Sequence, residues 1–289
     1  MNRSKVYRAR RRKRPRKLSH LAAKVLSTVC AVAIFAGLLL AFSNAFGETP
    51  QRLSDGIAVD CLTRVELPDD VNEEIIDYTG FRVSFNSAHH LPNYSAWELT
   101  GEETKGNVPR ESNFKPDKNV YGCATLDDYR RSGYDRGHMA PAGDMKWSAE
   151  AMADSHYLTN ICPQDHSING GRWSTLEKKC RQWAERDSSL IIICGPILTD
   201  QLDKAIGAQQ VSVPERFFKV VLAPYTIPPR AIAFIFPNRP TSDGLESMVT
   251  SVDAVEAITG FDFFQCLPDD IEEEVEKMAN YRVWERKNR

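Results

Sequence analysis

Apolar positions in the chain follow two periods. Phe81, Val83 and Phe85 alternate with polar residues, as do Trp97 and Leu99, and each set predicts a half-buried strand. Leu190–Cys194, Phe217–Leu222 and Ala231–Phe236 are short unbroken apolar runs bounded by Gly or Pro, the pattern of buried strands. Helical spacing appears over Ser148–Ser155, Gly171–Arg186, Ser251–Thr259 and Ile271–Trp284. In the second of these, Trp173, Leu176, Cys180 and Trp183 form one stripe that should face a core. Strands and helices are interspersed without a regular βαβ beat, so the expected fold is α+β, with a largely antiparallel central sheet flanked by helices.

One stretch fits neither period. Val25–Gly47 carries no charge and is apolar through Phe42, long enough for a bilayer span of about 20 residues. It predicts a transmembrane signal-anchor, with signal-peptide cleavage near Ser43-Asn44-Ala45 as the alternative. The expected organisation is a basic cytoplasmic head at 1–24, the anchor or signal at 25–47, a polar linker at 48–60 and one domain at 61–289. The body is then expected outside the cytoplasm: membrane-tethered, or secreted or periplasmic after cleavage.

Composition adds that 42% hydrophobic and 26% charged residues suit a globular chain and exclude a disordered, collagen-like or polytopic one. The net charge of -2 hides an asymmetry. Eleven of the 37 Lys and Arg fall in residues 1–46, and none of the 39 Asp and Glu precedes Glu48, leaving the remainder at -13. Residues 130–186 nevertheless hold nine Lys and Arg against seven Asp and Glu, a local basic surface of the kind a polyanion substrate requires. Outside the anchor, Cys61, Cys123, Cys162, Cys180, Cys194 and Cys266 permit disulfides, with no pairing specified, while Cys180 and Cys194 also read as buried core residues. Cys162, His166 and His156 raise structural zinc without the C-x-x-C pair that would support it. Asn93-Tyr94-Ser95 has the glycosylation pattern.

Chemistry concentrates in Asp135-Arg136-Gly137-His138. On an extended backbone Arg136 and His138 point to one face. A neutral imidazole can take a proton from water, and the guanidinium can hold phosphate oxygens, a pairing suited to phosphodiester cleavage. Downstream, Asn169 precedes the helix that carries Glu177 and Arg181, spaced i, i+4. An ordinary helix ion pair with a turn asparagine accounts for these three. A hard-cation site accounts for them too: Asn169 supplies a carbonyl oxygen, Glu177 anchors metal-bound waters and Arg181 faces a phosphate, with Mg²⁺ suited because it needs few protein ligands.

Over about Phe81 to Phe264 the chain resembles the sugar-non-specific DNA/RNA endonucleases with a ββα-metal active site, the endonuclease G-like family. The resemblance rests on Asp135-Arg136-Gly137-His138-Met139-Ala140-Pro141-Ala142-Gly143-Asp144, followed in order by Asn160, Pro163-Gln164, Asn169, Trp173, Leu176-Glu177 and Arg181. It continues through Gly195-Pro196, Phe218-Lys219-Val220 and Pro237-Asn238. It implies His138 as general base, Asn169 as direct metal ligand and Glu177 as holder of metal waters. Arg136 and Arg181 would contact phosphate, with the role of Asp135 left open. The implied activity is hydrolysis of DNA and RNA with Mg²⁺ or another divalent cation such as Mn²⁺. Two rivals are a metal-dependent phosphodiesterase acting on small or lipid-linked phosphates and a non-enzymatic nucleic-acid-binding module.

Overall fold

In a computed structural model that describes residues 57–198 and 204–286, the chain begins with α1 (Val59–Leu62), β1 (Val65–Glu66), β2 (Glu74–Tyr78), β3 (Phe81–Asn86) and β4 (Leu91–Thr100). It continues through α2 (Leu126–Tyr129), β5 (Asp135–His138), α3 (Ala149–Asp154), β6 (Ile161–Gln164), α4 (Ser174–Asp187) and β7 (Ser189–Ile197). After the short β8 (Ala205–Ile206) and β9 (Val211–Ser212) come β10 (Arg216–Ala223), β11 (Arg230–Pro237), β12 (Val249–Thr250), α5 (Val252–Thr259), β13 (Asp262–Phe263), α6 (Asp269–Glu276) and α7 (Tyr281–Glu285).

The three unbroken apolar runs are neighbours, β11, β10 and β7, inside a seven-stranded antiparallel sheet ordered β12-β11-β10-β7-β4-β3-β2. Their lack of alternation has a physical cause: both sheet faces are covered. Val220 lies opposite Ile193 and Ala233 and belongs to one core, with Val252, Val255 and Val275. Val221, opposite Ile192 and Ile232, belongs to the other, with Trp173, Leu176, Cys180 and Trp183. The mixed α+β architecture and antiparallel sheet agree with the reading from periodicity.

Strand β3 departs from the half-buried expectation, since all six of its residues are buried. Its polar positions are covered by partners: Arg82 pairs with Asp60 and Asp77 at 2.8 and 2.7 Å, and Ser84 donates to Glu73. Cys61 is joined to Cys266 with Cα atoms 6.2 Å apart, while Cys123, Cys162, Cys180 and Cys194 are buried thiols. The predicted helix over 271–284 is instead two helices, α6 and α7. Asn93 is 1% exposed and hydrogen-bonded to Asn86, Asn72 and Ser84, which leaves no room for a glycan.

The head, span and linker to residue 56 lie outside the described residues. Among the described residues no helix is long and apolar enough to cross a membrane. The longest, α4 with 14 residues, spans about 21 Å and carries several charges, short of a hydrocarbon core of about 30 Å. The expected single-pass signal-anchor and membrane partner are corrected to this extent: no described helix supplies them, and Val25–Gly47 itself falls outside the described residues.

Candidate active site

β5 and β6 pair outside the large sheet, His138 opposite Ile161 and Asp135 opposite Gln164, and α4 follows through a π-helical turn at Ile168–Trp173. One residue ties these parts together. The Trp173 indole N–H donates to the His138 carbonyl at 3.2 Å, while its ring meets Phe217 of β10 and Phe236 of β11 at 5.8 and 5.4 Å. Asn160 fixes the chain just beyond His138, its amide bonding both the N–H and C=O of Ala140. At Gly137 a Cβ would lie 2.2 Å from Gln164 Oε1, so the glycine serves close packing of the two strands.

Arg136 and His138 share a face of β5, as their spacing predicts. The Arg136 guanidinium lies 4.5 Å from the Phe114 ring centroid, and the His138 ring lies 5.1 Å from the same ring. His138 is 6% exposed, and its Nε2 is buried without a hydrogen-bond partner among the described residues. Burial, reinforced by His156, Arg110 and Arg136, holds its pKa well below the usual imidazole value, so the ring is neutral at pH 7. His156 stands edge-on at 4.9 Å, with Nδ1 bonded to the Met152 carbonyl and therefore protonated at that nitrogen.

Asp135 accepts from the Asn169 amide at 2.9 Å and from His166 Nδ1 at 2.9 Å. A carboxylate can accept only from the NH₂ end of the amide, which fixes the rotamer and leaves the Asn169 oxygen as the end available for a cation. Asn169, Asp135 and Arg136 line a cleft of about 570 Å³ together with Arg110, Phe114 and Arg130.

Glu177 and Arg181 follow on α4. Burial pushes the Glu177 carboxyl up to about 7; nearby Lys219 opposes this and Asp144 adds to it. Arg181 donates from Nη1 to Asp144 at 2.6 Å, and Asp144, 1% exposed, also accepts from the Trp97 indole at 3.2 Å. Arg181 is thus held by a buried carboxylate, a partner the sequence reading lacked. Cys162, His156 and His166 do not gather as a zinc site: Cys162 is buried on β6, and His166 is on the surface bonded to Asp135.

Sequence reasoning gave no site role to Arg110, Phe114 or Lys219, and read His156 only as a zinc candidate. Lys219 had a legible signal, a lone cation inside an apolar run. It is 1% exposed, with Nζ 4.3 Å from the Trp173 ring centroid and 3.3 Å from Cys194 Sγ. Arg110 and Phe114 had none, since they lie in an irregular segment whose approach to His138 is purely tertiary.

Residues 60–270 match the family profile described as DNA/RNA non-specific endonuclease. The chain is similar to the mitochondrial nuclease EXOG of Danio rerio, 35% identical over 207 residues, which cover 66% of this chain and 60% of that protein. It is also similar to mitochondrial nuclease 1 of Schizosaccharomyces pombe, 34% identical over 224 residues, covering 70% and 69%. Among solved structures, the EndoG/EndoGI complex matches with a TM-score of 0.63 and 27% identity over 68% of this chain and 87% of that one. The chain thus spans about 60% of the length of the Danio relative. Both relatives are mitochondrial by name. This disagrees with the expected extracytoplasmic body, tethered or released, and that localisation is corrected here as well.

Proposed function

Because the chain belongs to the DNA/RNA non-specific endonuclease family, we propose that it is a nuclease that hydrolyses phosphodiester bonds in DNA and RNA. His138 is the general base, and a divalent cation is held at Asn169. The observation that carries this reading is a juxtaposition: Arg136 and His138 meet on Phe114, and the adjacent Asp135 holds the Asn169 amide.

The donor set fits a hard cation. The Asn169 amide is turned by Asp135, and Glu177 is a half-buried carboxyl, so both offer oxygen. Mg²⁺, or another divalent cation such as Mn²⁺, would supply Lewis-acid stabilisation of charge on the phosphate and the leaving oxygen. Asn169 would hold it directly and Glu177 through water.

The protein's own groups do the rest. Neutral His138 accepts the proton of the attacking water. Phe114 and His156 hold the imidazole in place, and Trp173 fixes the backbone behind it. Arg136 and Arg110 neutralise the bound backbone, and Arg181 adds positive charge from behind Glu177. The test is incubation of the purified protein with supercoiled plasmid and with RNA, in Mg²⁺ or EDTA. Cleavage of both in Mg²⁺ alone is the expected result, with turnover about 10²–10⁴-fold lower in a folded His138→Ala variant. Cleavage of a small chromogenic diester but of neither polymer would overturn the reading.

A further inference from the structure

We propose that the chain binds Ca²⁺ at a site formed by Asp253 and Glu256 of α5 and Glu276 of α6, on the sheet face opposite the β5–β6 pair. The two helices contribute Val252, Val255 and Val275 to one core, whereas Met139 and Ile161 belong to the other. Asp253 and Glu256 are three apart on one helix and project from the same side. One oxygen from each of the three carboxylates lies within 4.8 Å of the others.

An acidic cluster alone would carry nothing; Glu276 makes the difference. It is 7% exposed, and its Oε1 is buried with no hydrogen-bond partner among the described residues. It is also the last residue of α6, where the helix macrodipole is negative and a carboxylate is least favoured. No Lys or Arg among the described residues forms an ion pair with Asp253, Glu256 or Glu276. Glu256 is oriented independently, since its Oε1 accepts the Phe263 N–H at 2.9 Å.

The donor set selects the cation. Oxygen donors without nitrogen or sulfur call for a hard ion. Ca²⁺ takes six to eight oxygen ligands in flexible geometry, whereas Mg²⁺ demands near-ideal octahedral geometry, so carboxylates drawn from two separate helices suit Ca²⁺. With waters completing the shell, the ion would clasp α5 to α6.

The test uses EDTA-treated full-length protein titrated with CaCl₂, followed by calorimetry and thermal unfolding. At about 100-fold excess over Kd, one bound ion should raise Tm by roughly 5–10 °C. The rise should persist in Asn169→Ala and vanish in Asp253→Asn and in Glu276→Gln. The exposed Asp253 keeps the test decisive if Glu276→Gln fails to fold. No Ca²⁺-dependent shift in the parent protein would overturn the proposal, as would a shift that survives Asp253→Asn or disappears in Asn169→Ala.

Discussion

Asp135 and Asn169, 34 residues apart, are joined by a 2.9 Å hydrogen bond in which the amide donates to the carboxylate. The bond joins the first residue of β5 to the turn preceding α4, so the two halves of the ββα unit are set against each other by the group that orients the proposed metal ligand. Asp135→Ala should therefore act as a loss of a supporting partner, lowering activity about 10–100-fold with partial recovery at high Mg²⁺. Steady-state kinetics across a Mg²⁺ series checks this. Unchanged Mg²⁺ dependence would show that the bond does not position the ligand.

Burial of His138 sets a pH signature. Its pKa is lowered by burial first and then by His156, Arg110 and Arg136, while the Phe114 ring packed on it carries no charge. Below about 6.5 the unfolded chain takes up the proton before the native one, so stability falls as pH drops from 6.5 through the native pKa. His156, shifted down mainly by burial, adds in the same direction. Denaturant midpoints in EDTA should decline from pH 6.5 downward more steeply in the parent than in His138→Phe. Equal declines would show that the imidazole is not held neutral by its surroundings.

How much of this is legible in the chain depends on how local each signal is. The Trp173, Leu176, Cys180 and Trp183 stripe is buried as its spacing predicts, because helical periodicity is set by near neighbours. Arg136 and His138 sharing a face follows from the two-residue period of a strand. Helix α4 begins three residues later than the periodicity predicts, since the segment before it runs as a π-helical turn containing Gly171, at φ -105° and ψ -109°. The expectation of Arg181 on phosphate follows from its sequence neighbour Glu177. Its partner Asp144 lies 37 residues away and is reached only in the folded chain, where Asp144 also accepts from Trp97 of β4.

Glu177, with its carboxyl pushed up to about 7 chiefly by burial, is about half protonated at pH 7 without a cation. A divalent ion nearby favours the charged form, so binding should release a fraction of a proton. Titration calorimetry of Mg²⁺ in buffers of different ionisation enthalpy should show buffer-dependent heats, abolished in Glu177→Gln. Buffer-independent heats in the parent would place the cation away from Glu177.

The cleft holds Arg110, Arg130 and Arg136 on a chain that is acidic beyond its head. Substrate affinity should fall as salt rises through the loss of counterion release. Arg110→Ala should raise KM and reduce the slope of log affinity against log salt by about one. An unchanged slope would remove Arg110 from the contact surface.

Arg181 has two roles to separate, one towards Asp144 and one towards substrate. Asp144 is buried, and burial alone drives its carboxyl pKa up; the Arg181 guanidinium, at 2.6 Å, works against that rise. Arg181→Ala leaves the carboxylate without its cation, a change that typically costs about 3–5 kcal/mol when a buried pair is broken from one side. Asp144→Asn keeps the shape and removes the stranded charge, so the double variant should recover part of the stability lost by Arg181→Ala. Activity should not follow, because the neutral amide introduced by Asp144→Asn restores the packing but supplies no positive charge behind Glu177. Unfolding midpoints and kcat/KM for the two single variants and the double variant complete the cycle. If both recover together, Arg181 serves the fold alone. If stability shows no coupling, the 2.6 Å contact does not hold Arg181 in place.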